Sequence, residues 1–304
     1  MADTTAVAPA VSTVKPQLAG RTGGTGGGSR GSRNVTSGGR GSRYALRFVA
    51  LAYLALILIL PVGLIIYRTF SSGLGEVFDA LGTEDALHAF RLTVEVAVVA
   101  VVANTIFGVG AALLLVRHRF PGRRLLNAFI DLPLAVSPVV VGLALILVYG
   151  SFEPVGRFLG DEVGIQIIFS VPGMVLATIF VSLPLVVRAV APVLEEVGVE
   201  QEQAAWTLGA GPVQTFLRVT LPSIRGALAY GVVLALARAL GEYGALAVVS
   251  GRLQGKTQTL TLFVQDSYEN YEQVAAYAAS FVLALLAVLT LVIARFLRPK
   301  DETR

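Results

Sequence analysis

The chain has 304 residues, of which 55% are hydrophobic and only 14% charged, and its formal net charge is +4. So much apolar surface exceeds what one soluble core can bury, and it predicts an all-α protein that crosses a membrane several times. The sequence holds no cysteine, which excludes disulfides, thiolate metal ligands and cysteine nucleophiles.

The basic residues collect in the N-terminal tail and beside the apolar segments. Orientation in a bilayer explains this positive charge better than nucleic-acid binding, so we expect membrane lipid and no nucleic acid among the partners. Residues 1–43 are rich in Gly, Ser, Thr and Arg and carry a single acidic residue, Asp3. This composition predicts a disordered cytoplasmic tail that lies near anionic lipid.

Six apolar segments follow within residues 44–298, which we expect to form one six-helix membrane domain. Each segment approaches or exceeds the roughly 20 residues that a helix needs to cross a hydrocarbon core of about 30 Å. Every segment must be a helix, because an open strand in lipid would leave backbone groups unpaired. The predicted spans are about 45–67, 92–116, 125–149, 170–192, 224–250 and 273–296.

The charges between the segments predict their orientation. The connection after the second segment contains Arg119, Arg123 and Arg124 and no acidic residue, whereas the first, third and fifth connections are rich in Asp and Glu. The positive-inside rule therefore places the connection 193–222, both termini and the short tail 299–304 in the cytoplasm. We expect a multi-pass protein of the cell membrane.

The connection 193–222 is a long polar insertion between two apolar segments. Helical periodicity runs to Leu208, the stretch Gly209-Ala210-Gly211 breaks it, and Pro212 suits the first position of a second helix. Leu221-Pro222 is expected to stop that second helix. The pattern predicts a short helix, a glycine turn and another short helix.

Two places inside the predicted spans require an explanation. Segment five places Arg238 and Glu242 four residues apart on one helical face. A charge at the bilayer centre costs on the order of 3 kcal/mol, so these two are either a self-paired structural couple or part of an anion path. In segment three, Ser137 and Pro138 interrupt the backbone hydrogen bonds and predict either a kinked, cavity-lining helix or a simple packing kink.

Three further polar residues fall within the spans. Arg188 lies near the cytoplasmic end of segment four, and we expect its side chain to extend to the membrane interface. Glu95 and Asn104 belong to segment two, and we expect them to form interhelical hydrogen bonds.

An enzymatic function has little support in the sequence. His88 and His118 are the two histidines of the chain, and the predicted topology places them on opposite sides of the membrane. Neither can readily serve as base to a buried serine, and together they form no metal cluster. The stretch 251–257 resembles a phosphate-binding loop, but it lies on the external side and has one residue too few between its glycines. We expect no catalytic residue, cofactor or metal site in this chain.

The insertion resembles the EAA loop of bacterial ABC importer permeases. Gln203-Ala204-Ala205 is followed after three residues by Gly209 and, nine residues later, by Val219-Thr220-Leu221-Pro222. The family usually has Glu at position 203 and Ile at position 219, although Glu202 lies next door. The resemblance implies contacts to a cytoplasmic ATPase from Glu202, Gln203, Ala204, Ala205, Gly209, Leu221 and Pro222.

Over about residues 45–298 the chain resembles the sulfate/thiosulfate permeases of the sulfate and molybdate importer group, particularly their W-type subunits. The stretches that carry the resemblance are Leu87–Val94, Phe120–Arg123, Asp131–Gly150, Pro172–Val175 and Ala237–Gly251. It implies ATP-driven alternating access, with a translocation cavity between this chain and a homologous T-type permease. An ABC ATPase dimer and an external sulfate-binding protein are the other implied partners.

Two alternatives stay open. A molybdate or tungstate permease would look alike, because these tetrahedral dianions share size and charge with sulfate and the binding protein does most of the selection. A passive anion channel or an intramembrane enzyme belongs to a different class and would work without ATPase subunits.

Overall fold

The computed structural model describes residues 40–297; the predicted tails, over 1–39 and 298–304, lie outside the described residues. Within 40–297 the protein is all-α, as predicted, with thirteen α-helices, one π-helical turn and no strand. The first helix begins at Arg40 rather than after the predicted tail boundary at 43, because the helix of the apolar segment continues into the preceding polar residues.

The helices follow one another along the chain with short connections. They are α1 (Arg40–Ser71), α2 (Leu74–Leu81), α3 (Glu84–Arg117), α4 (Arg123–Ala135), α5 (Pro138–Tyr149), α6 (Pro154–Asp161), α7 (Val171–Val197), α8 (Glu200–Thr207), α9 (Pro212–Thr215), the π-helical turn Phe216–Thr220, α10 (Leu221–Leu240), α11 (Leu246–Val249), α12 (Leu260–Glu269) and α13 (Gln273–Leu297).

The chain divides into two compact units at residue 54, within α1. The described part of the first unit is the start of α1, where apolar side chains such as Phe48 and Leu51 are exposed. All other elements belong to the second unit. Within the described range 40–297, five helices are long and apolar enough to cross a membrane, and the pair α4 and α5 makes a sixth crossing if it counts as one broken span.

The helix α3 extends well beyond the predicted span 92–116. At 34 residues it is about 51 Å long, so it projects past a hydrocarbon core of about 30 Å. Its start is set by Thr83, whose hydroxyl accepts a hydrogen bond from the Ala86 N–H, and by Glu84 and Asp85 in the first turn.

The predicted single span 125–149 is two helices, α4 and α5, bent by 117° at Val136-Ser137. Both residues are extended, and Pro138 occupies the first turn of α5. Proline has no N–H to continue the hydrogen bonds of α4, and it disfavours helical geometry in the residue before it. The interruption predicted at Ser137-Pro138 is therefore a complete break rather than a kink.

The two pieces of this span lie at different levels of the bundle. Ile130 of α4 shares an apolar cluster with Leu115 and Val190, near the C-terminal ends of α3 and α7. Val141 of α5 shares another cluster with residues near the N-terminal ends of the same two helices. Together α4 and α5 thus lead from one end of α3 and α7 to the other.

The centre of the second unit is formed by α3, α7 and α10, which approach one another through glycines. A Cβ added at Gly108 of α3 would lie 2.8 Å from a methyl carbon of Val186. On α10, a Cβ added at Gly231 would lie 2.8 Å from the Cβ of Ala189. Small residues at both contacts allow the close backbone approach that helix pairs in membranes favour.

The predicted helix over 224–250 ends earlier, at Leu240. Residues 241–245 are non-helical, and the single turn α11 follows. The cause is local, because the Glu242 side chain bonds the backbone N–H of Ala245, an alternative to the helical ladder. The fifth span is therefore broken near its end.

Candidate functional site

The insertion between α7 and α10 begins at a glycine. Gly198 follows α7 with a positive φ of 69°, a conformation that L side chains rarely adopt, and it turns the chain into α8. The predicted first helix, running to Leu208, is thus present as Glu200–Thr207.

Glu202 of α8 faces inward, although the sequence comparison grouped it with residues that contact an ATPase. Its Oε1 lies 3.1 Å from Nη2 of Arg117, at the C-terminal end of α3, and accepts a hydrogen bond of 2.9 Å from the Thr220 hydroxyl. Arg117 also donates to the carbonyl of Leu194 in the last turns of α7. The carboxylate therefore ties α8 to the C-terminal ends of α3 and α7 and to the π-helical turn before α10, and we call this contact set the Arg117–Glu202 brace.

The outer face of the insertion is exposed and apolar. Gln203 and Ala204 are exposed, and Leu208 has 88% of its surface accessible. The other exposed large apolar residues of the insertion are Trp206, Val213 and Leu217. Large exposed apolar side chains concentrated in one short segment are typical of a surface that contacts another protein.

A cleft of about 690 Å³ separates α8 from the start of α10. Ala204, Ala205 and Pro222, three of the predicted coupling residues, line it, and Arg218 and Arg225 contribute positive charge. Small alanine side chains leave the space open, so the cleft can accept a side chain or loop from another protein.

The glycine turn and the start of the second helix are present as predicted. Gly209 has a φ of 86°, and its N–H donates to the carbonyl of Trp206. Pro212 occupies the first turn of α9, where its missing N–H is not needed.

The predicted stop at Leu221-Pro222 is wrong. The chain passes from α9 through the π-helical turn directly into α10, and the Leu221 N–H donates to the carbonyl of Phe216, five residues earlier. Pro222 can donate no hydrogen bond to the Arg218 carbonyl and would clash with it in a regular α-helix. The wider π turn accommodates the proline, so the insertion and the fifth span form one continuous helical element.

Arg238 and Glu242 form the ion pair that their spacing predicts. The Arg238 Nη1 lies 2.7 Å from the Glu242 Oε2, the arginine side chain is 37% exposed and the glutamate side chain only 1%. Glu242 also accepts the Ala245 N–H at 2.9 Å, and its carbonyl accepts the Thr261 hydroxyl. The pair thus joins the end of α10 to the break that follows it.

The second predicted intramembrane site lies against the same break. Gly244 packs on the start of α5, because a Cβ added there would lie 3.1 Å from the Cβ of Pro138. Ser137, just before Pro138, is exposed. The structure therefore brings the Ser137-Pro138 turn next to the chain break that Glu242 caps, although the two are about a hundred residues apart in sequence.

Arg188, which was expected to extend to the membrane interface, binds two residues of α4. Its Nε donates to the Asp131 Oδ1 at 2.8 Å, its Nη2 contacts the other Asp131 oxygen, and Nη2 also donates to the Asn127 Oδ1 at 2.9 Å. Asn127 and Asp131 are four residues apart on α4, a spacing that places both side chains on one face of that helix. A single sequence does not show that α7 supplies their partner.

The two polar residues of α3 behave differently from each other. Asn104 is buried and donates to the Ser182 hydroxyl and the Ile179 carbonyl of α7, which confirms the predicted interhelical bond. Glu95 is exposed, and within residues 40–297 it forms no side-chain hydrogen bond or ion pair. The predicted hydrogen bond of Glu95 is therefore absent from the described residues.

Comparison with protein-family models identifies one match. The family described as binding-protein-dependent transport system inner membrane component matches residues 104–301. That range includes the whole insertion and the last four predicted spans.

The chain is also similar to individual curated proteins. It is 51% identical to the sulfate transport system permease protein CysW of a Synechocystis species, over 85% of this chain and 93% of the relative. It is 47% identical to the protein of the same name from Escherichia coli K12, over 82% and 86%. A probable sulfate transport system permease protein cysT from Nephroselmis olivacea is 38% identical, over 81% and 86%.

Solved structures show the same fold at low identity. A bacterial ABC transporter involved in the import of the acidic polysaccharide alginate superposes with a TM-score of 0.68 at 16% identity, over 84% of this chain and 93% of that chain. The same transporter type in complex with an alginate pentasaccharide-bound periplasmic protein gives 0.68 at 17% identity, over 84% and 92%. The resemblance predicted from the sequence motifs is thereby confirmed at the level of family and fold.

Proposed function

Because this chain belongs to the family of binding-protein-dependent transport system inner membrane components, and within it to the sulfate transport permeases, we propose that it is a permease subunit of an ATP-driven importer of sulfate or thiosulfate. The observation that carries the proposal is the 51% identity to a sulfate permease over 85% of the chain. The chain is a transport component and not an enzyme, so partner subunits hydrolyse the ATP.

The charge of the substrate requires an energy source. Moving one elementary charge across a potential of 100 mV changes the free energy by about 2.3 kcal/mol. Importing a dianion into a cell that is negative inside therefore costs about twice that free energy. A passive pore would let sulfate leave the cell. An importer that spends ATP overcomes this gradient.

The exposed outer face of α8 and the adjoining turn is the proposed contact to the ATPase. Leu208 and Trp206 present apolar surface, and the cleft beside Ala204 and Ala205 can receive a protruding group of the partner. Gln203 is exposed but uncharged, and the carboxylate of Glu202 is already paired with Arg117. Docking therefore rests on shape and apolar contact rather than on a salt bridge from either residue.

The proposed path of coupling runs from this docking face into the membrane. The π-helical turn joins α9 to α10 without a break, and the Arg117–Glu202 brace links α8 to α3 and α7. A rigid-body displacement of α8 by the ATPase is thus passed to the inner ends of three spans. At the far end of α10 the non-helical residues 241–245 supply a joint at which the span can bend.

The proposed anion path passes the joint at 241–245. The Arg238 side chain is 37% exposed while that of its partner Glu242 is buried, so the arginine is the member of the pair that an anion can reach. Ser137 is exposed on the neighbouring turn, next to Pro138. The joint and the turn together form a place where an anion can be held while the helices switch between outward-open and inward-open states.

The proposed assembly contains partners of four kinds: a homologous T-type permease, an ABC ATPase dimer, an external sulfate-binding protein and membrane lipid. A second permease is supported by the exposed charges of Arg188 and Asp131 within the span region, because such charges must face protein or water rather than lipid. In this arrangement both termini are cytoplasmic, together with the insertion.

Reconstitution tests the proposal. The chain is purified with the T-type permease and the ATPase, placed in proteoliposomes and supplied with the sulfate-binding protein outside and ATP inside. We expect uptake of radiolabelled sulfate, competed by unlabelled thiosulfate. Preferential uptake of molybdate would instead assign the chain to molybdate import, and failure of an ATPase to co-purify in mild detergent would contradict an ABC importer.

A further inference from the structure

A second basic feature lies at the inner ends of α3, α4 and α7, far along the chain from Arg238. It is a pocket of about 400 Å³, which we call the inner arginine pocket. Its lining residues are Leu115, Val116, Arg123, Arg124, Asn127, Arg188, Ala191 and Glu195. Three arginines and one carboxylate leave the wall with two net positive charges.

The helical spacing of these residues explains why they share one pocket. On α4, Arg123 and Asn127 are four residues apart, and on α7, Arg188 and Glu195 are two turns apart, so each helix turns one polar face to the other. The helix α4 starts after Gly122 with no acidic residue in its first turn and no side-chain cap. The positive end of its dipole therefore adds to the charge of Arg123 and Arg124.

The pocket is not neutralised from within. The Arg123 Nη2 lies 4.0 Å from the Glu195 Oε1, and both side chains are largely exposed, so this ion pair is weak. Within residues 40–297 Arg124 forms no ion pair. Arg188 is held in place by Asp131, which cancels much of its charge but orients its guanidinium.

The position of Arg188 argues that the pocket faces water or protein rather than acyl chains. It lies four residues before the end of the predicted span 170–192, about 6 Å along the helix. The side chains of Arg188 and Asp131 are each 41% exposed at that depth. Because charged groups at membrane depth avoid lipid, this surface borders an aqueous cavity or a second subunit.

We propose that the inner arginine pocket binds a tetrahedral oxyanion and is the site from which imported sulfate leaves toward the cytoplasm. Planar guanidinium groups match the oxygens of such an anion with paired hydrogen bonds, and Asn127 adds an amide. The inference rests on the proposed function and adds to it a second anion site, separate from Arg238 and outside the docking face. The same arginines also favour a cytoplasmic location of the loop, so the test must separate binding from orientation.

The test measures equilibrium binding of radiolabelled sulfate to the assembled, nucleotide-free complex in nanodiscs of zwitterionic lipid, without the external binding protein. We expect Arg124→Gln to weaken binding about tenfold, because one charge-assisted contact is lost, and Arg124→Lys to weaken it less. The matched control is Arg119→Gln, which removes the same charge from an exposed residue of the connection just before α4 that does not line the pocket. It should bind as the wild type does.

Three results would overturn the inference. Binding unchanged in Arg124→Gln would remove the site, and an equal loss in Arg119→Gln would reduce the effect to the general charge of the loop. Loss of wild-type sulfate binding when the nanodiscs contain phosphatidylglycerol would identify a lipid headgroup as the occupant. Should Arg124→Gln fail to assemble, Arg123→Gln takes its place. Uptake by the wild-type complex in proteoliposomes tests the proposed function separately, because it can succeed while the pocket variants bind normally.

Discussion

The guanidinium of Arg117 lies 3.1 Å from the carboxylate of Glu202, and both side chains are only 11% exposed. This contact joins the last residue of α3 to the first turn of α8, 85 residues later. Because both side chains are largely removed from water, removing one partner would leave the other as a costly unpaired charge. The exposed apolar face of α8 is thereby held in a fixed orientation to the membrane helices.

Replacing Glu202 by Gln should loosen this joint. Arg117 keeps its bond to the Leu194 carbonyl, so we expect a loss of about 1–3 kcal/mol in local stability rather than unfolding of the complex. Limited proteolysis of the insertion should accelerate, and fewer sulfate ions should be transported per ATP hydrolysed. Glu200→Gln is the matched control, because it removes the same charge from an exposed position of the same helix. Equal coupling ratios in the two variants would show that the brace does not transmit movement.

Gly209 and Gly211 provide a second matched pair. Neither has an atom within 4 Å of an added Cβ, but Gly209 has a φ of 86° and Gly211 one of −74°. Gly209→Ala should therefore cost about 1–2 kcal/mol of backbone strain and reorient Leu208, whereas Gly211→Ala should be neutral. Binding of the ATPase to the permease pair, measured by surface plasmon resonance, should weaken about tenfold or more in the first variant only. Identical affinities would contradict a role for this turn in docking.

Two glycines of α3 test the packing of the helix core. An added Cβ at Gly108 would lie 2.8 Å from Val186, while one at Gly110 would meet nothing within 4 Å. We expect Gly108→Ala to destabilise the complex by about 1–3 kcal/mol through overpacking. Gly110→Ala should be neutral or raise stability by up to about 1 kcal/mol, because alanine favours the helix. Thermal denaturation of the assembled complex distinguishes them, and equal melting temperatures would mean that α3 and α7 are not packed as described.

Variants of the Arg238–Glu242 pair distinguish a structural role of the pair from a role in transport. Arg238→Gln leaves the buried carboxylate uncompensated, so we expect a loss of about 3–5 kcal/mol and poor assembly. The double variant Arg238→Gln and Glu242→Gln removes both charges and should assemble again. If Arg238 attracts the anion, uptake by the assembled double variant should still be about tenfold slower than that of the wild type. Wild-type uptake would assign the pair to structure alone.

The sequence predicts the parts of the fold that depend on local patterns. Apolar length identifies, within residues 40–297, the five long helices and the broken pair α4 and α5. Pro212 and Gly209 locate the start of α9 and the turn before it, because proline and glycine act through their own backbones. The Arg238–Glu242 pair follows from helical spacing. These features require no knowledge of neighbouring helices.

Contacts between helices do not follow from such local patterns. Glu202 looks like a surface residue of a polar insertion, and only the packing of α8 on Arg117 and Thr220 makes it internal. Arg188 is bound by two residues of α4, a helix 57 and 61 residues earlier in the chain. The predicted stop at Leu221-Pro222 fails for a different reason, since a π turn can accommodate the proline without ending the helix.

The most direct test of coupled sulfate import is ATP-dependent uptake by proteoliposomes that contain the complete complex with Leu208→Asp in the docking face. Leu208 is exposed, so an aspartate in its place lies in solvent and does not disturb the core. The permease pair should therefore assemble normally. We predict that the wild-type complex takes up radiolabelled sulfate only when ATP is enclosed, and that Leu208→Asp abolishes both this uptake and the ATP hydrolysis stimulated by the binding protein. Sulfate uptake that needs no ATP, or that is unchanged by Leu208→Asp, would contradict the account.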